Sequence, residues 1–480
     1  MKKLGTLLGV LILVATALVA NSGSVLAFPD GVWVSGVTVA NLSSDTATVM
    51  IDFYDQNGDL ELHFNGGTIA GNGAKTWYLP DVWISGTSVT GKKVVSADRA
   101  IAAIVNTQLP SGSNPTRVGT STGVGSPSQT VYATQLMKGY HGWNSYCAVQ
   151  NTGSSAANVT ATFYNANGSQ AASYQQNIPA YASYLFDQSA DSRLPAGFNG
   201  SAKFVSPSAS HPLAVVCNFY NTGANAGSSQ FHSYNGMGQG GSTLYVPRIV
   251  KDYYNYQSGL KVQNIGSEAL NVNVSYIIKG KVHTQTSPSI GPGQAWGPYM
   301  GDESQLPASL AGVSGSGSAV ITINNQNANK LIVATVNEDN RTSPAGRGVT
   351  YEAALAAEAA ASLVFPQVTA EYYGYSSGIQ VMKVGTGTAS CEACYSASGN
   401  VSAFCDAFTL TDASPSWDQF APNASGMNPG GYDNYNSSVT INCTGGDAIG
   451  IANLSFRQDV DPRYGNLTGD SFTTARGIAK

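Results

Sequence analysis

The sequence predicts an all-β chain of four tandem β-sandwich domains behind an N-terminal signal peptide, and three observations carry that expectation. The first is a short signature, an aromatic residue with serine two positions on. It recurs as Trp33-Val34-Ser35-Gly36, Trp143-Asn144-Ser145-Tyr146, Tyr256-Gln257-Ser258-Gly259 and Tyr375-Ser376-Ser377-Gly378. The copies lie 110, 113 and 119 residues apart (143−33, 256−143 and 375−256), the length of a sandwich domain rather than of a solenoid turn. The second is a pair of further landmarks in fixed order. A tight turn follows at Gly58, Gly168, Gly280 and Gly399, and a late apolar run follows at residues 101–105, 213–216, 331–336 and 449–452. Glycine supplies the positive φ that closes a hairpin, and an unbroken apolar run suits a strand covered on both faces. The third is composition: only 11% of residues are charged, which suits strands and turns better than surface helices.

The elements then fall in order. The leader has Lys2 and Lys3, an apolar stretch over residues 4–20 and a small-residue region ending at Ala27, so the signal peptide is assigned to residues 1–27 with cleavage after Ala20 or Ala27. Domain 1 covers 28–120, domain 2 covers 131–237, domain 3 covers 243–350 and domain 4 covers 363–480. Glycine- and serine-rich stretches at 118–130 and 238–242 read as joints. Residues 351–362, rich in alanine and glutamate, are the one strong helix former and predict a turn or two of helix between domains. Domain 3 shows the strand pattern best, at 244–249, 259–264, 270–278, 281–287, 318–324 and 331–337. There Val272, Val274 and Tyr276 alternate with Asn271, Asn273 and Ser275, giving one buried and one wetted face.

Charge and chemistry exclude several classes. The formal charge of −5 becomes −7 once Lys2 and Lys3 leave, so no basic stripe remains for nucleic acid. Beyond the leader nothing approaches the ~18 consecutive apolar residues of a membrane span. Gly374 to Gly378 matches the Gly-x-Ser-x-Gly pattern of serine hydrolases, but the other copies carry Asn144 or Gln257 where Ser376 stands, so the repeat accounts for it. His63, His141, His211, His232 and His283 sit at unmatched positions and do not form a constellation. Asp459, Asp461 and Asp470 offer oxygens of the kind calcium takes, without the roughly twelve-residue spacing of an EF-hand loop. No catalytic residue, cofactor or metal site is assigned.

Six cysteines in an exported chain are expected to pair. Domain 2 holds Cys147 and Cys217, and domain 4 holds Cys391, Cys394, Cys405 and Cys443. If Tyr395 matches Tyr54 and Tyr164, strand parity turns Cys394 inward and Cys391 outward. That pairs Cys394 with Cys443 across the sheets and Cys391 with Cys405 across the hairpin. A metal site at Cys391 and Cys394 lacks the second CxxC or histidine pair that zinc requires.

The candidate interaction residues are the aromatics of the loops: Trp33, the pair Tyr140 and Trp143, the pair Tyr253 and Tyr256, and the pair Tyr372 and Tyr375. Such rings either stack on sugars or pack against a neighbouring domain, and repetition in every copy favours packing. Domain length, hairpin position and cysteine placement resemble the tandem immunoglobulin-like or fibronectin-III-like modules of bacterial surface proteins. That resemblance implies adhesion, surface-layer or filament roles, and an inter-sheet bridge from Cys147 to Cys217. The function expected is a non-enzymatic extracellular structural protein of a layer, fibre or stalk, with a glycan-binding adhesin as the alternative. Its partners are further copies or other surface components, with polysaccharide under the alternative reading.

Domain 1 departs from the pattern at its start. Domains 2 to 4 open with apolar strands at 131–136, 244–249 and 363–368, whereas the counterpart in domain 1, residues 25–29, straddles the cleavage region. Cleavage after Ala27 removes that strand and leaves a sheet edge open to strand addition, while cleavage after Ala20 keeps it.

Overall fold

The alternation of apolar and polar residues is realised as antiparallel strands almost throughout. The computed structural model describes residues 11–14, 33–55, 57–82, 92–109, 117–222, 230–340, 346–428, 434–456 and 470–480, the first four by backbone alone. Repeat 2 displays the unit. Its eight strands are Thr130–Lys138, Trp143–Asn151, Ala157–Asn165, Gln170–Ile178, Ser183–Asp187, Phe198–Val205, Leu213–Asn221 and Phe231–Asn235. They form one sheet ordered fourth, third, sixth, first and a second ordered fifth, second, seventh, eighth. Both sheets point side chains into one core, among them Val131, Phe163 and Phe204 from the first and Val149, Phe186 and Phe219 from the second. Each such fully buried side chain contributes about 1.5–3 kcal/mol.

The same order recurs in the sheets of the other three repeats, with their seventh strands at Ile101–Leu109, Ile332–Asn340 and Asp447–Phe456. The second strand beside the fifth and the third beside the sixth match an immunoglobulin sandwich. The first and seventh strands, however, have exchanged sheets relative to that fold, the seventh lying beside the second and the first beside the sixth. This corrects the expected inter-sheet bridge: Cys147 and Cys217 are direct partners on neighbouring strands of one sheet, with Cα atoms 4.1 Å apart.

The pairing in repeat 4 is corrected as well. Cys391 joins Cys443 and Cys394 joins Cys405. Cys391, Ala393 and Tyr395 face the core, so Tyr395 matches inward-facing Phe53, Phe163 and Tyr276 rather than Tyr54 and Tyr164. A one-residue slip in register exchanges the two faces of a strand, and with them the two cysteines.

Polar stretches form the centre of the molecule. The first part of the 118–130 stretch expected as a joint belongs to the eighth strand of repeat 1, Arg117–Thr122. It lies against Phe231–Asn235, which lies against Arg347–Glu352, which lies against Phe472–Arg476, which returns to Arg117–Thr122. The four repeats therefore close into a ring. A second contact repeats around it: the first strands of repeats 2, 3 and 4 pack on the second and seventh strands of repeats 3, 4 and 1. Polar bonds cross these joints, as between Thr134 and Thr335 (2.8 Å), Asn337 and Gln135 (2.8 Å), and Asn106 and Gln367 (2.6 Å). The joints between repeats are fixed by paired backbone bonds, Ser128 with Leu213, Gly241 with Ile332 and Ala360 with Ala448. The alanine-rich 351–362 segment forms only the 3-10 turn Ala356–Glu358, because Ala354–Leu355 adds to the sheet of repeat 3 and Ala354 packs on Met382 and Ile449 of repeat 4.

Repeat 1 has its first strand in an unexpected place. Beside its sixth strand, Lys92–Ala97, stands Leu11–Val14, from the stretch expected to be the leader, with Leu11 opposite Ser96 and Val14 opposite Lys93. The strand expected at 25–29 lies outside the described residues. Lys93 occupies the core position held by Ala202, Ala319 and Val439 in the other repeats, and burial pulls its amine down to about 7.

Candidate functional site: the aromatic turns

The loop between the first and second strands is the same two-residue turn in repeats 2, 3 and 4. Tyr140 and Trp143 each donate an N–H to the other's carbonyl (3.1 and 2.8 Å), and the same exchange joins Tyr253 with Tyr256 and Tyr372 with Tyr375. Both central residues take positive φ: 48° and 84° at His141 and Gly142, 49° and 66° at Tyr254 and Asn255, 50° and 80° at Tyr373 and Gly374. This is a type I′ turn, for which Asn-Gly is the relaxed choice; a tyrosine there is held in a strained conformation.

The signature residues clamp the turn. Ser145, Ser258 and Ser377 accept from the N–H groups of Met137, Val250 and Thr369 (2.8, 2.8 and 2.9 Å), eight residues earlier in the first strand. Asn144, Gln257 and Ser376 accept from the N–H groups of Gly139, Asp252 and Glu371 (2.9, 3.1 and 3.1 Å). The signature is thus a device for bending the chain from one sheet to the other. Ser376, buried within the strand Tyr375–Val384, is part of it.

The predicted aromatics divide by role. Trp33 is buried against Phe231 of repeat 2 (ring centroids 4.8 Å), and Tyr256 packs on Phe472 of repeat 4 (5.1 Å). Trp143 packs edge-on to Phe219 and His232, and Tyr375 edge-on to Phe456. Tyr140, Tyr253 and Tyr372 are half-buried and each supports the next ring edge-on, His141, Tyr254 and Tyr373, at 4.5, 4.7 and 4.7 Å. The exposed rings are therefore the ones between the predicted pairs: Tyr254 is 78% and Tyr373 56% exposed. The sequence signal for them is a bulky residue at a turn position that favours Asn or Gly.

These turns stand at one end of the ring. The second strand starts opposite the end of the seventh, which pairs with the start of the eighth. At that end the buried carboxylate of Asp470 accepts from the N–H groups of Phe231 (3.0 Å), Gly348 (3.1 and 3.2 Å) and Phe472 (3.1 Å), joining three repeats. Burial pushes this carboxyl up, against the pull of the three amides and Arg347. Nearby, Arg248 donates two hydrogen bonds to the buried Glu338 carboxylate (2.7 and 2.8 Å), with its guanidinium over Tyr253. Asp459 and Asp461 lie outside the described residues. Of the histidines, His63 pairs with Asp52, His211 with Ser155 and Ser208, and His232 with Thr350; the ring does not bring them together. The grouping of Glu392 with Cys394 and Cys405 offers no thiolate, since the two sulfurs are bonded to each other.

No family model matches the chain, and no curated protein matches it. Among solved structures it is similar to the crystal structure of Thermotoga maritima 1070, at 13% identity over 24% of this chain and 95% of that chain, with a TM-score of 0.19. Among the described residues no helix is long and apolar enough to cross a membrane.

Proposed function

We propose that the protein is an exported, non-enzymatic structural component of a cell surface that assembles through the sheet edge of repeat 1. The observation that carries this reading is the seat beside Lys92–Ala97, which three repeats fill with a strand of their own and repeat 1 fills with Leu11–Val14 of the leader. Removal of the leader bares the backbone groups of that edge, and an open edge is a template for another chain. Three disulfides among the described residues accord with an oxidising compartment outside the cytosol. The expected result is a mature chain that begins at or after Asn21 and forms oligomers in a concentration-dependent way. A mature chain that sediments as a monomer at high concentration sinks the reading.

The second reading, a polysaccharide-binding adhesin, is favoured by one specific observation: strained, exposed Tyr254 and Tyr373 at matching turns. Under it, replacing both by glycine abolishes retention on an immobilised polysaccharide while raising stability by about 0.5–2 kcal/mol, because glycine takes positive φ freely. Unchanged retention of the stable double variant on a column that holds the parent protein removes the tyrosines from the interaction.

A further inference from the structure

We infer that the seat in repeat 1 is filled by residues 26–30 of a second copy of this chain, so that assembly proceeds by exchange of N-terminal strands. The inference rests on the assembly reading above and names its occupant.

The first strands of repeats 3 and 4 share a pattern that residues 26–30 repeat. Leu244-Tyr245-Val246-Pro247-Arg248 and Leu363-Val364-Phe365-Pro366-Gln367 align with Leu26-Ala27-Phe28-Pro29-Asp30. In repeat 4 the first and third residues, Leu363 and Phe365, enter the core opposite Ile441 and Val439. Those positions correspond to Val95 and Lys93 in repeat 1. In repeat 4 the fifth residue of the pattern, Gln367, bonds Asn106 of the next repeat, for which Asn218 is the corresponding residue of repeat 2, whereas in repeat 3 the fifth residue, Arg248, bonds Glu338 of its own repeat. Residues 26–30 thus carry the apolar and polar groups that the seat takes, in the right order.

They are too close to their own second strand to use it. The residue opposite the Lys93 position is Ala133, Val246 or Phe365 in the other repeats. Each precedes the signature aromatic by ten residues (143−133, 256−246 and 375−365), whereas Phe28 precedes Trp33 by five (33−28). Those ten residues hold the register shift, the last part of the strand and the turn that carry the chain from one sheet to the other. If the ten-residue spacing is kept instead, Asn21 and Gly23 fall where Val131 and Ala133 enter the core. The side chains for such a clamp differ in repeat 1: apolar Val34 stands where Asn144, Gln257 and Ser376 accept from the loop backbone, and among the described residues Ser35 bonds the Thr107 hydroxyl (3.3 Å). The same joint holds an unmet polar group: Gln150 of repeat 2 is fully buried with neither amide atom bonded, whereas its counterpart Gln263 bonds Ser201 of the preceding repeat. A seat that fits residues 26–30, and a tether too short to place them there in cis, together point to donation between copies.

The test uses the full chain, exported with its own leader from a host that processes it. All six native cysteines are engaged in disulfides, so two introduced ones report alone. In the aligned register Ala27 lies opposite Val94, as Val364 lies opposite Thr440. Co-expression of A27C and V94C chains is expected to give a disulfide-linked heterodimer on a non-reducing gel, absent when either variant is expressed alone, with N-terminal sequencing starting at or before Leu26. A chain carrying both substitutions is expected to link to further copies: a ladder stopping at the dimer marks reciprocal exchange, and a longer ladder marks one-way donation. A disulfide within one chain overturns the inference, as does a mature N-terminus at Phe28 or an unprocessed leader. Oligomers without the cross-link overturn the occupant and leave the assembly reading standing, whereas monomers without it overturn both. Oligomerisation of each single variant at the parent's level serves as the check that both fold.

Discussion

Replacing Asp470 with alanine is expected to destabilise the protein by about 3–5 kcal/mol, the largest loss from any single side-chain truncation at the ring's centre. Its two carboxylate oxygens are the acceptors for three buried backbone N–H groups, one each from repeats 2, 3 and 4. Each donor left unsatisfied costs about 1–3 kcal/mol, and the side chain that accepts from them is fully buried. Asp470→Asn keeps the shape but turns an NH2 group toward N–H donors, so an intermediate loss is expected. Chemical denaturation of the two variants measures the order. Equal stability of the alanine variant and the parent shows that the ring is held elsewhere. The loss is also expected to loosen the contacts between repeats before it melts the sandwiches, which small-angle scattering reads as an increased radius below the unfolding transition.

Removing the Cys147–Cys217 bridge by the paired substitution C147A/C217A is expected to cost about 4 kcal/mol, from the chain entropy released by opening a loop with a sequence separation of 70. Cys394–Cys405, which closes a loop of separation 11, is expected to cost about 3 kcal/mol on the same reasoning. The ranking is the test, since both bridges join residues directly opposite on neighbouring strands and differ chiefly in the loop they close. Denaturant midpoints of the two double variants, compared under oxidising conditions, decide it. A larger loss at Cys394–Cys405 contradicts the entropic account and assigns the stabilisation to contacts in the folded hairpin.

Much of the repeat was legible because its local signals are strong. Gly58, Gly168, Gly280 and Gly399 all take positive φ, as the turns after the third strands require, and the late apolar runs lie in the seventh strands. The six strands read in repeat 3 are present within a few residues of the expected bounds. Features set by contacts between repeats left weaker traces. Arg117–Thr122 has no apolar alternation, since it is buried by other eighth strands and its Thr120 hydroxyl bonds Asn106. Its composition of threonine, serine and glycine therefore reads as a joint. The helix expected over 351–362 lost to sheet addition and packing, which override the propensity of alanine. At the aromatic turns the recurrence was visible, but not which ring of each triplet faces solvent. That depends on a type I′ geometry directing the middle residue outward, a property of φ rather than of hydrophobicity.

The closed ring also changes what each copy of the unit is free to become. In a cyclic assembly of four separate identical chains, any substitution is imposed four times, and a loss at one interface is a loss at all of them. Here the four positions around the axis are encoded separately. One has two disulfides, one has a single bridge and two have none; three carry Asn144, Gln257 or Ser376 at the clamp position and one carries Val34. Covalent continuity lets the chain break its own symmetry at a single place: three repeats seat the strand just before their signature beside the sixth strand, and repeat 1 seats Leu11–Val14 there.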